Sequence, residues 1–256
     1  MLRVFLSVLK KEWTTTRRYP MNFISSLITI YIIFFLIFIG YRTIGMGNPD
    51  YSENLESIIV GFFLWTFAIA AYSRLSWGIM SESSTGTLEQ LYMSPVGFNT
   101  IAIFIVISDF IISSLLEIPV VFLMMLTTGR WLHIDLITLL ILFIPTIGGV
   151  YGIGFISGGI ALVYKRIQSF FQILQFLMVL FIMIPVEKYP AAKILPLTLG
   201  NHLIKLNMTR GVPFYKLPLQ DLLILYLNFL LYFLAGLFIF SRFEFYARKK
   251  GILGHY

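Results

Sequence analysis

The sequence contains no cysteine and few charged side chains. Without cysteine, the chain can form no disulfide and perform no thiol chemistry. Asp, Glu, Lys and Arg make up 12% of the residues, against roughly 25% in soluble domains. By contrast, 58% of the residues are hydrophobic and 17% are aromatic, and the mean hydropathy is +0.87. This composition excludes an ordinary soluble domain and indicates that the lipid bilayer is the main solvent.

Sequence motifs of common catalytic sites are missing as well. The dipeptide Gly-Lys does not occur, which excludes a phosphate-binding P-loop, and neither His-Glu-x-x-His nor Gly-x-Ser-x-Gly is present. Ser157 lies in a hydrophobic segment without a histidine to activate it. His133, His202 and His255 are far apart in sequence and indicate no metal cluster. We therefore expect a chain that is not an enzyme and has no metal or cofactor of its own.

Six hydrophobic segments are long enough to cross a membrane as helices, for which about 20 residues are needed. They cover residues 22–41, 57–80, 98–128, 136–164, 167–186 and 219–241. No internal repeat and no second domain is evident. The sequence thus predicts an all-α membrane protein with a single domain over residues 1–256 and six transmembrane helices.

The distribution of Lys and Arg predicts that both termini face the cytoplasm, because cytoplasmic segments are enriched in these residues. With both termini inside, the inner segments hold eleven of them and the outer segments seven. The inner set is Arg3, Lys10, Lys11, Arg17, Arg18, Lys165, Arg166, Arg242, Arg248, Lys249 and Lys250, and the outer set is Arg42, Arg130, Lys188, Lys193, Lys205, Arg210 and Lys216. We expect a cell membrane (plasma or inner membrane) location, where the net charge of +7 meets anionic lipid rather than nucleic acid.

Residues 1–20 are predicted to form an amphipathic helix at the inner membrane surface. Leu2, Phe5, Leu6, Leu9 and Trp13 recur at helical spacing, while the basic residues occupy another face. Such a helix either anchors and orients the first span, or contacts a soluble partner or a lipid-like substrate.

A polar segment, Glu82 to Pro95, interrupts the hydrophobic sequence after the second span and contains no Lys or Arg. Within this segment, Thr87 and Gln90 match a capping box at the start of a helix. Gly86 permits a turn before that helix, and Pro95 ends the helix. The predicted short helix carries apolar side chains on one side and polar ones on another. This arrangement suits docking in a groove of a soluble partner.

Asp109 is predicted to lie near the middle of the membrane, roughly 16 Å from the inner end of the third span. An acid at that depth must be paired or face a wet cavity, which makes it a candidate for a translocation path, a structural hydrogen bond or a proton-coupling site. Arg74 is expected to extend toward the inner interface rather than pair with Asp109.

Gln168, Gln172 and Gln175 share one face of the fifth span. This polar stripe is predicted to turn away from lipid, where it either bonds other helices or lines a polar path.

Glycines in the fourth span form two small-xxx-small pairs, Gly148/Gly152 and Gly154/Gly158. They predict close helix contact, either within one subunit or at a moving or dimer-forming surface. Residues 187–218 are predicted to form an extracellular connection with a short amphipathic helix that carries Leu199, Leu203 and Leu206.

The motif Glu82-x-x-x-Gly86-Thr87-Leu88-Glu89-Gln90-Leu91-x-x-Ser94-Pro95 resembles the transmembrane subunits of type-2 ATP-binding-cassette exporters. The order of the basic helix, six spans, glycine-rich fourth span and outer Leu195-Pro196-Leu197-Thr198 is similar over nearly the whole chain. The family's usual asparagine before the outer Pro-Leu-Thr is replaced by Leu195, and Lys205 or Arg210 must stand for a nearby basic position.

The resemblance implies that residues 84–95 form the coupling helix, which contacts a separate nucleotide-binding subunit. The contacting residues would be Glu82, Gly86, Thr87, Leu88, Glu89, Gln90, Leu91, Tyr92 and Pro95. It further implies a second, like or unlike permease subunit, and two copies of an ATPase subunit that bind ATP and Mg. The cargo would be a drug-like, antibiotic or lipid-like molecule.

Two other functions fit the sequence. A proton-coupled secondary carrier would use Asp109, and a membrane anchor would recruit a soluble partner without transport. Carriers commonly contain inverted repeats, and none is evident in this chain.

Overall fold

The computed structural model describes residues 1–45, 51–164 and 167–251, and all regular structure in these ranges is helical. The α-helices are α1 Leu2–Arg18, α2 Pro20–Gly45, α3 Tyr51–Ser84, α4 Leu88–Tyr92, α5 Phe98–Thr128, α6 Leu136–Tyr164, α7 Gln168–Met183, α8 Thr198–Arg210 and α9 Leu219–Lys249. Two 3-10 helices cover Pro190–Ile194 and Phe214–Lys216. The all-α prediction is confirmed for the described residues. Lys165, Arg166 and His255, which entered the charge and histidine arguments, lie outside them.

Among the described residues, five helices contain segments long and apolar enough to cross a membrane. These segments are Ile24–Thr43, Leu55–Ser84, Phe98–Thr128, Leu136–Tyr164 and Leu219–Lys249. They identify the chain as a multi-pass α-helical membrane protein.

The predicted fifth span, residues 167–186, is a shorter helix than expected. α7 has 16 residues and is about 24 Å long, less than the roughly 30 Å of a bilayer core. It stops because Pro185 disfavours helical backbone at the preceding residue, and Ile184 is accordingly extended with φ −68° and ψ 120°. A sixth span therefore stays a prediction.

The ends of α5 and α6 agree with the predicted boundaries and have local causes. Gly97 and Gly129 flank α5 with φ of 76° and 67°, a left-handed conformation that glycine adopts without steric cost. At the start of α6, the Asp135 carboxylate accepts hydrogen bonds from the backbone N–H groups of Ile137 and Thr138, at 3.2 and 3.4 Å. An acidic side chain in this position satisfies amides that a helix start leaves unpaired. It also interacts favourably with the helix dipole.

α6 is the central helix, and its glycines bring it against neighbours on two sides. A Cβ on Gly152 would lie 2.2 Å from the carbonyl oxygen of Tyr232 in α9, and one on Gly154 would lie 2.6 Å from that of Ala71 in α3. Gly148 likewise faces Phe229 of α9, and Gly158 faces Leu75 of α3. Both small-xxx-small pairs thus serve contacts within this chain, the first of the two predicted alternatives.

The helix predicted between residues 187 and 218 is α8. Leu199 and Leu203 are fully buried, and α8 packs against α3, α6 and α7. Gly200 approaches Thr146 of α6 so closely that a Cβ would lie 2.1 Å from the threonine hydroxyl oxygen. α8 is therefore part of the helical core at one end of the molecule.

α1 packs along α5 rather than standing apart from the bundle. The rings of Phe5 and Phe104 meet edge to face, with centroids 5.6 Å apart. Leu2, Leu6 and Trp13 remain exposed. The apolar face predicted for residues 1–20 is thus divided between a contact with α5 and an outward surface.

Candidate functional site

The segment from Glu82 to Pro95 forms a tight turn between two long helices. α3 ends at Ser84, α4 covers Leu88–Tyr92 and α5 begins at Phe98. Gly86 and Gly97, with φ of 70° and 76°, reverse the chain on either side of α4. The helix predicted over 84–95 is limited to these five residues.

The apolar side of α4 packs against the chain's own helices. Leu88 is 3% exposed, and the Tyr92 ring stacks on Phe98 with centroids 4.3 Å apart. The guanidinium of Arg248, at the end of α9, lies 5.9 Å from the centre of the Tyr92 ring. Burial raises the pKa of the Tyr92 hydroxyl above its ordinary value, so Tyr92 is neutral. Leu88, Leu91 and Tyr92 therefore hold α4 in place.

The opposite side of α4 faces outward. Gly86, Glu89, Gln90 and Pro95 are exposed, as is Met93. We call these five residues the α4 surface. Of the residues predicted to bind a partner, Gly86, Glu89, Gln90 and Pro95 can touch another protein directly. Leu88, Leu91 and Tyr92 would act by supporting them.

The capping box predicted at Thr87 is wrong. The Thr87 side chain makes no capping hydrogen bond to α4. Its hydroxyl donates instead to the carboxylate of Glu82, and its backbone N–H donates to the Glu82 carbonyl oxygen at 3.0 Å. Thr87 thus stabilises the turn by bonding back to the end of α3.

Glu82 also links this turn to α1. Its carboxylate forms a salt bridge with the ammonium group of Lys11. The predicted amphipathic helix and the turn that carries α4 are therefore in direct contact.

A second polar region lies deeper in the bundle, around Arg74. The guanidinium Nη2 of Arg74 pairs with Glu12 of α1, and its Nε lies 3.4 Å from Oδ1 of Asp109 in α5. Asp109 is 9% exposed, and the hydroxyl of Tyr151 in α6 donates to its Oδ2 at 2.7 Å. The expectation that Arg74 does not pair with Asp109 is wrong, because α1 and α5 enclose it with two carboxylates.

Glu12 and Tyr151 did not emerge from the sequence as site residues. One signal pointed to Glu12: it is the first acidic residue, the next is Asp50, and five basic residues surround it in the first 20 positions. Tyr151 gave no such signal, since a tyrosine within a glycine-rich span is equally typical of ordinary packing.

A polar cavity of about 270 Å³ adjoins this network. Its walls come from α1, α2, α3 and α5, with Tyr19 between α1 and α2. The described lining residues are Glu12, Thr15, Thr16, Tyr19, Ser26, Arg74, Asp109, Ile112, Ser113 and Leu116. Asp109 thus belongs to a cavity, as expected for an intramembrane acid.

The three glutamines of α7 are not brought to Asp109. Gln168 and Gln172 are exposed and Gln175 is partly exposed, whereas Phe171, Leu174 and Met178 form the buried face. A larger cavity of about 520 Å³ is bounded by α2, α3, α7 and α8, and Val179, Ile182 and Met183 supply its α7 wall. The glutamines are not among its described lining residues, so within one chain they border neither cavity.

Within the described ranges, no group of three or more His, Asp or Glu side chains is arranged to hold a metal ion. Comparison of the chain with protein-family models and with curated proteins finds no match.

Proposed function

We propose that the chain is the membrane-spanning permease subunit of an ATP-binding-cassette exporter, and that a separate ATPase subunit docks on the α4 surface. The observation that carries this proposal is that α4 packs its apolar side against the chain's own helices and exposes its polar side. An exposed helix held rigidly by its own bundle can receive a force from a partner and pass it on.

The lengths of the flanking helices support the same role. The apolar part of α3, Leu55–Ser84, and the whole of α5 contain 30 and 31 residues. At 1.5 Å per residue they are about 45 Å long, whereas a bilayer core is roughly 30 Å thick. They can therefore cross the membrane and still project beyond it, carrying α4 to a soluble protein.

The charge of the segment also suits a protein partner. Glu89 and Gln90 are exposed, and no Lys or Arg occurs between Arg74 and Arg130. Lys11 and Arg248 adjoin the segment, but the α4 surface itself supplies no basic residue for binding anionic lipid, which suits a protein partner.

In this mechanism, ATP-driven closure of two ATPase subunits would push on α4 and tilt α3 and α5. A path shared with a second permease subunit would then switch from inward-facing to outward-facing. The cargo would be drug-like, antibiotic or lipid-like, and both termini would be cytoplasmic.

The test uses charge reversal on the α4 surface. The chain is reconstituted in proteoliposomes with a candidate ATP-binding-cassette ATPase from the same organism. Glu89→Lys is expected to lower co-purification and permease-stimulated ATP hydrolysis at least about tenfold, the effect of losing one good interfacial contact. Because Glu89 is exposed, the thermal stability of the isolated chain should be unchanged.

Glu187→Lys is the matched control, since it reverses an exposed glutamate in the predicted extracellular connection and should retain both readouts. The proposal fails if Glu89→Lys also retains both, or if a proton gradient without the ATPase drives transport by the wild-type chain. The latter result would favour the carrier that uses Asp109. An ATPase that binds without any transport would favour the membrane anchor.

A further inference from the structure

The polar cavity beside Arg74 has features of a binding site that the docking of an ATPase does not use. Its volume is about 270 Å³, which corresponds to about nine water molecules at ~30 Å³ each. Asp109 and Ile112 at its inner wall are buried, whereas Thr15, Tyr19 and Ser26 are exposed. The cavity therefore opens near the junction of α1 and α2 and ends at Asp109.

The charges around the cavity do not balance. Among the described lining residues, Arg74 is the one cation, and Glu12 and Asp109 are the two carboxylates. Two of the three guanidinium nitrogens of Arg74 contact these carboxylates. With both acids ionised, the three groups carry one net negative charge in surroundings of low dielectric constant, where an unbalanced charge is costly.

The hydroxyl groups of Thr15 and Thr16 add acceptors rather than donors to the cavity wall. Thr15 donates its hydroxyl hydrogen to the carbonyl oxygen of Lys11 at 2.9 Å, and Thr16 donates to that of Glu12 at 3.1 Å. A hydroxyl whose hydrogen is engaged still offers oxygen lone pairs.

The carboxylates themselves have acceptor capacity left. Each carboxylate offers about four lone-pair sites. Asp109 uses them for Arg74 and Tyr151, and Glu12 pairs with Arg74. A cationic ligand with several N–H donors matches both the missing charge and the surplus of acceptors.

We propose that this cavity binds a primary ammonium group, held by Glu12, Asp109 and the hydroxyl oxygens of Thr15 and Thr16. An anion is disfavoured because two carboxylates already surround the one arginine. A divalent metal is disfavoured because it carries one positive charge more than the cavity lacks, and because no group of three or more His, Asp or Glu side chains in the described ranges is arranged to hold one. The site is separate from the α4 surface, so the inference does not depend on the proposed exporter function.

Two sources can supply this ammonium group, a free amine or the headgroup of phosphatidylethanolamine. The purified chain is incorporated into nanodiscs of phosphatidylglycerol, and the midpoint of thermal unfolding is followed while ethanolammonium chloride is added. Tetramethylammonium chloride at equal concentration is the reference, because it has the same charge and no N–H donor. In parallel, half of the phosphatidylglycerol is replaced by phosphatidylethanolamine or by phosphatidylcholine.

A ligand that binds the folded state raises the unfolding midpoint, and the stabilisation grows with the logarithm of one plus the ratio of its concentration to its Kd. Ethanolammonium is expected to raise it and tetramethylammonium is not. If the lipid headgroup is the natural ligand, phosphatidylethanolamine discs raise the midpoint and added ethanolammonium gives no further rise. If a free amine is the ligand, ethanolammonium acts equally in all three discs.

Glu12→Gln removes the net negative charge and should weaken the ethanolammonium affinity at least about tenfold, as for the loss of one charge-assisted hydrogen bond. Glu244→Gln is the matched control, because Glu244 is a buried glutamate paired with Arg248 and is not among the described residues of the cavity. If Glu12→Gln does not fold, Thr16→Val removes one acceptor without changing charge and should weaken binding by a smaller factor. Equal effects of the two ammonium ions, or an undiminished response in the variant measured, would overturn the proposal.

Discussion

At the scale of single residues, Arg74 shows how a partner can be invisible in the sequence. Its position near the inner end of α3 is compatible with an interfacial side chain, and distance along the helix favoured that interpretation. In the structure it is enclosed by Glu12, 62 positions earlier, and Asp109, 35 positions later. The contact with Glu12 requires α1 to fold back along α5, and the contact with Asp109 requires α3 to pack against α5. Helical periodicity alone specifies neither.

Tyr151 provides a test of this buried network. It is 2% exposed and donates to Asp109 at 2.7 Å. Tyr151→Phe should lower the free energy of unfolding by about 1–3 kcal/mol, because the buried carboxylate loses a donor. Denaturant unfolding in detergent micelles measures the change.

Tyr226→Phe is the corresponding control, since the Tyr226 hydroxyl is exposed and donates to the Ile141 carbonyl oxygen. Its removal should change stability by no more than about 0.5 kcal/mol. Equal losses in both variants would mean that the hydroxyl of Tyr151 does not stabilise Asp109.

At the scale of helices, the predicted limits of the apolar segments agreed with the structure where one residue decides the backbone. The glycines on either side of α5 and the acid before α6 set boundaries that agree with the sequence. The capping box failed because Glu82, a residue outside the local motif, took the Thr87 hydroxyl. The predicted length of the fifth span was too great because the hydrophobic sequence continues past Pro185, whereas the helix ends before it.

The contact between α6 and α9 depends on glycine at both surfaces. A Cβ on Gly236 would lie 2.0 Å from the carbonyl oxygen of Gly152, so neither backbone has room to yield. Gly152→Ala or Gly236→Ala should destabilise the protein by about 1–3 kcal/mol or more, through overpacking. Thermal unfolding in micelles is the measurement.

Gly40→Ala in α2 serves as the comparison, because no atom lies within 4 Å of its Cβ position. This substitution should be neutral or stabilising by up to about 1 kcal/mol, since alanine favours the helix. A similar loss of stability in all three variants would contradict the role of close backbone contact.

At the scale of the whole molecule, the number of spans determines where the termini lie. Six spans place both termini on the same side, whereas the five long apolar helices alone would place them on opposite sides. The distribution of Lys and Arg favours the first arrangement.

Because the chain contains no cysteine, single introduced cysteines can show on which side of the membrane each terminus lies. Single cysteines are introduced at the exposed positions Thr14, Lys188 and Lys249, and intact cells are treated with a membrane-impermeant maleimide. Lys188→Cys should be labelled from outside, and Thr14→Cys and Lys249→Cys only after permeabilisation. Labelling of Thr14→Cys and Lys249→Cys from opposite sides would show an odd number of spans.

The sequence by itself determined the class of molecule and the positions of most helices. Long apolar segments can satisfy their backbone in lipid only as helices, so composition was sufficient. The sequence also located the polar segment at Glu82–Pro95. Polar side chains are costly in lipid, so a polar stretch between long apolar segments indicates a connection outside the membrane. Only the tertiary structure decided which side of α4 is exposed and that Glu12, Arg74, Asp109 and Tyr151 form one network beside a cavity. These features depend on which helices pack together, and that is set by contacts between residues far apart in the chain.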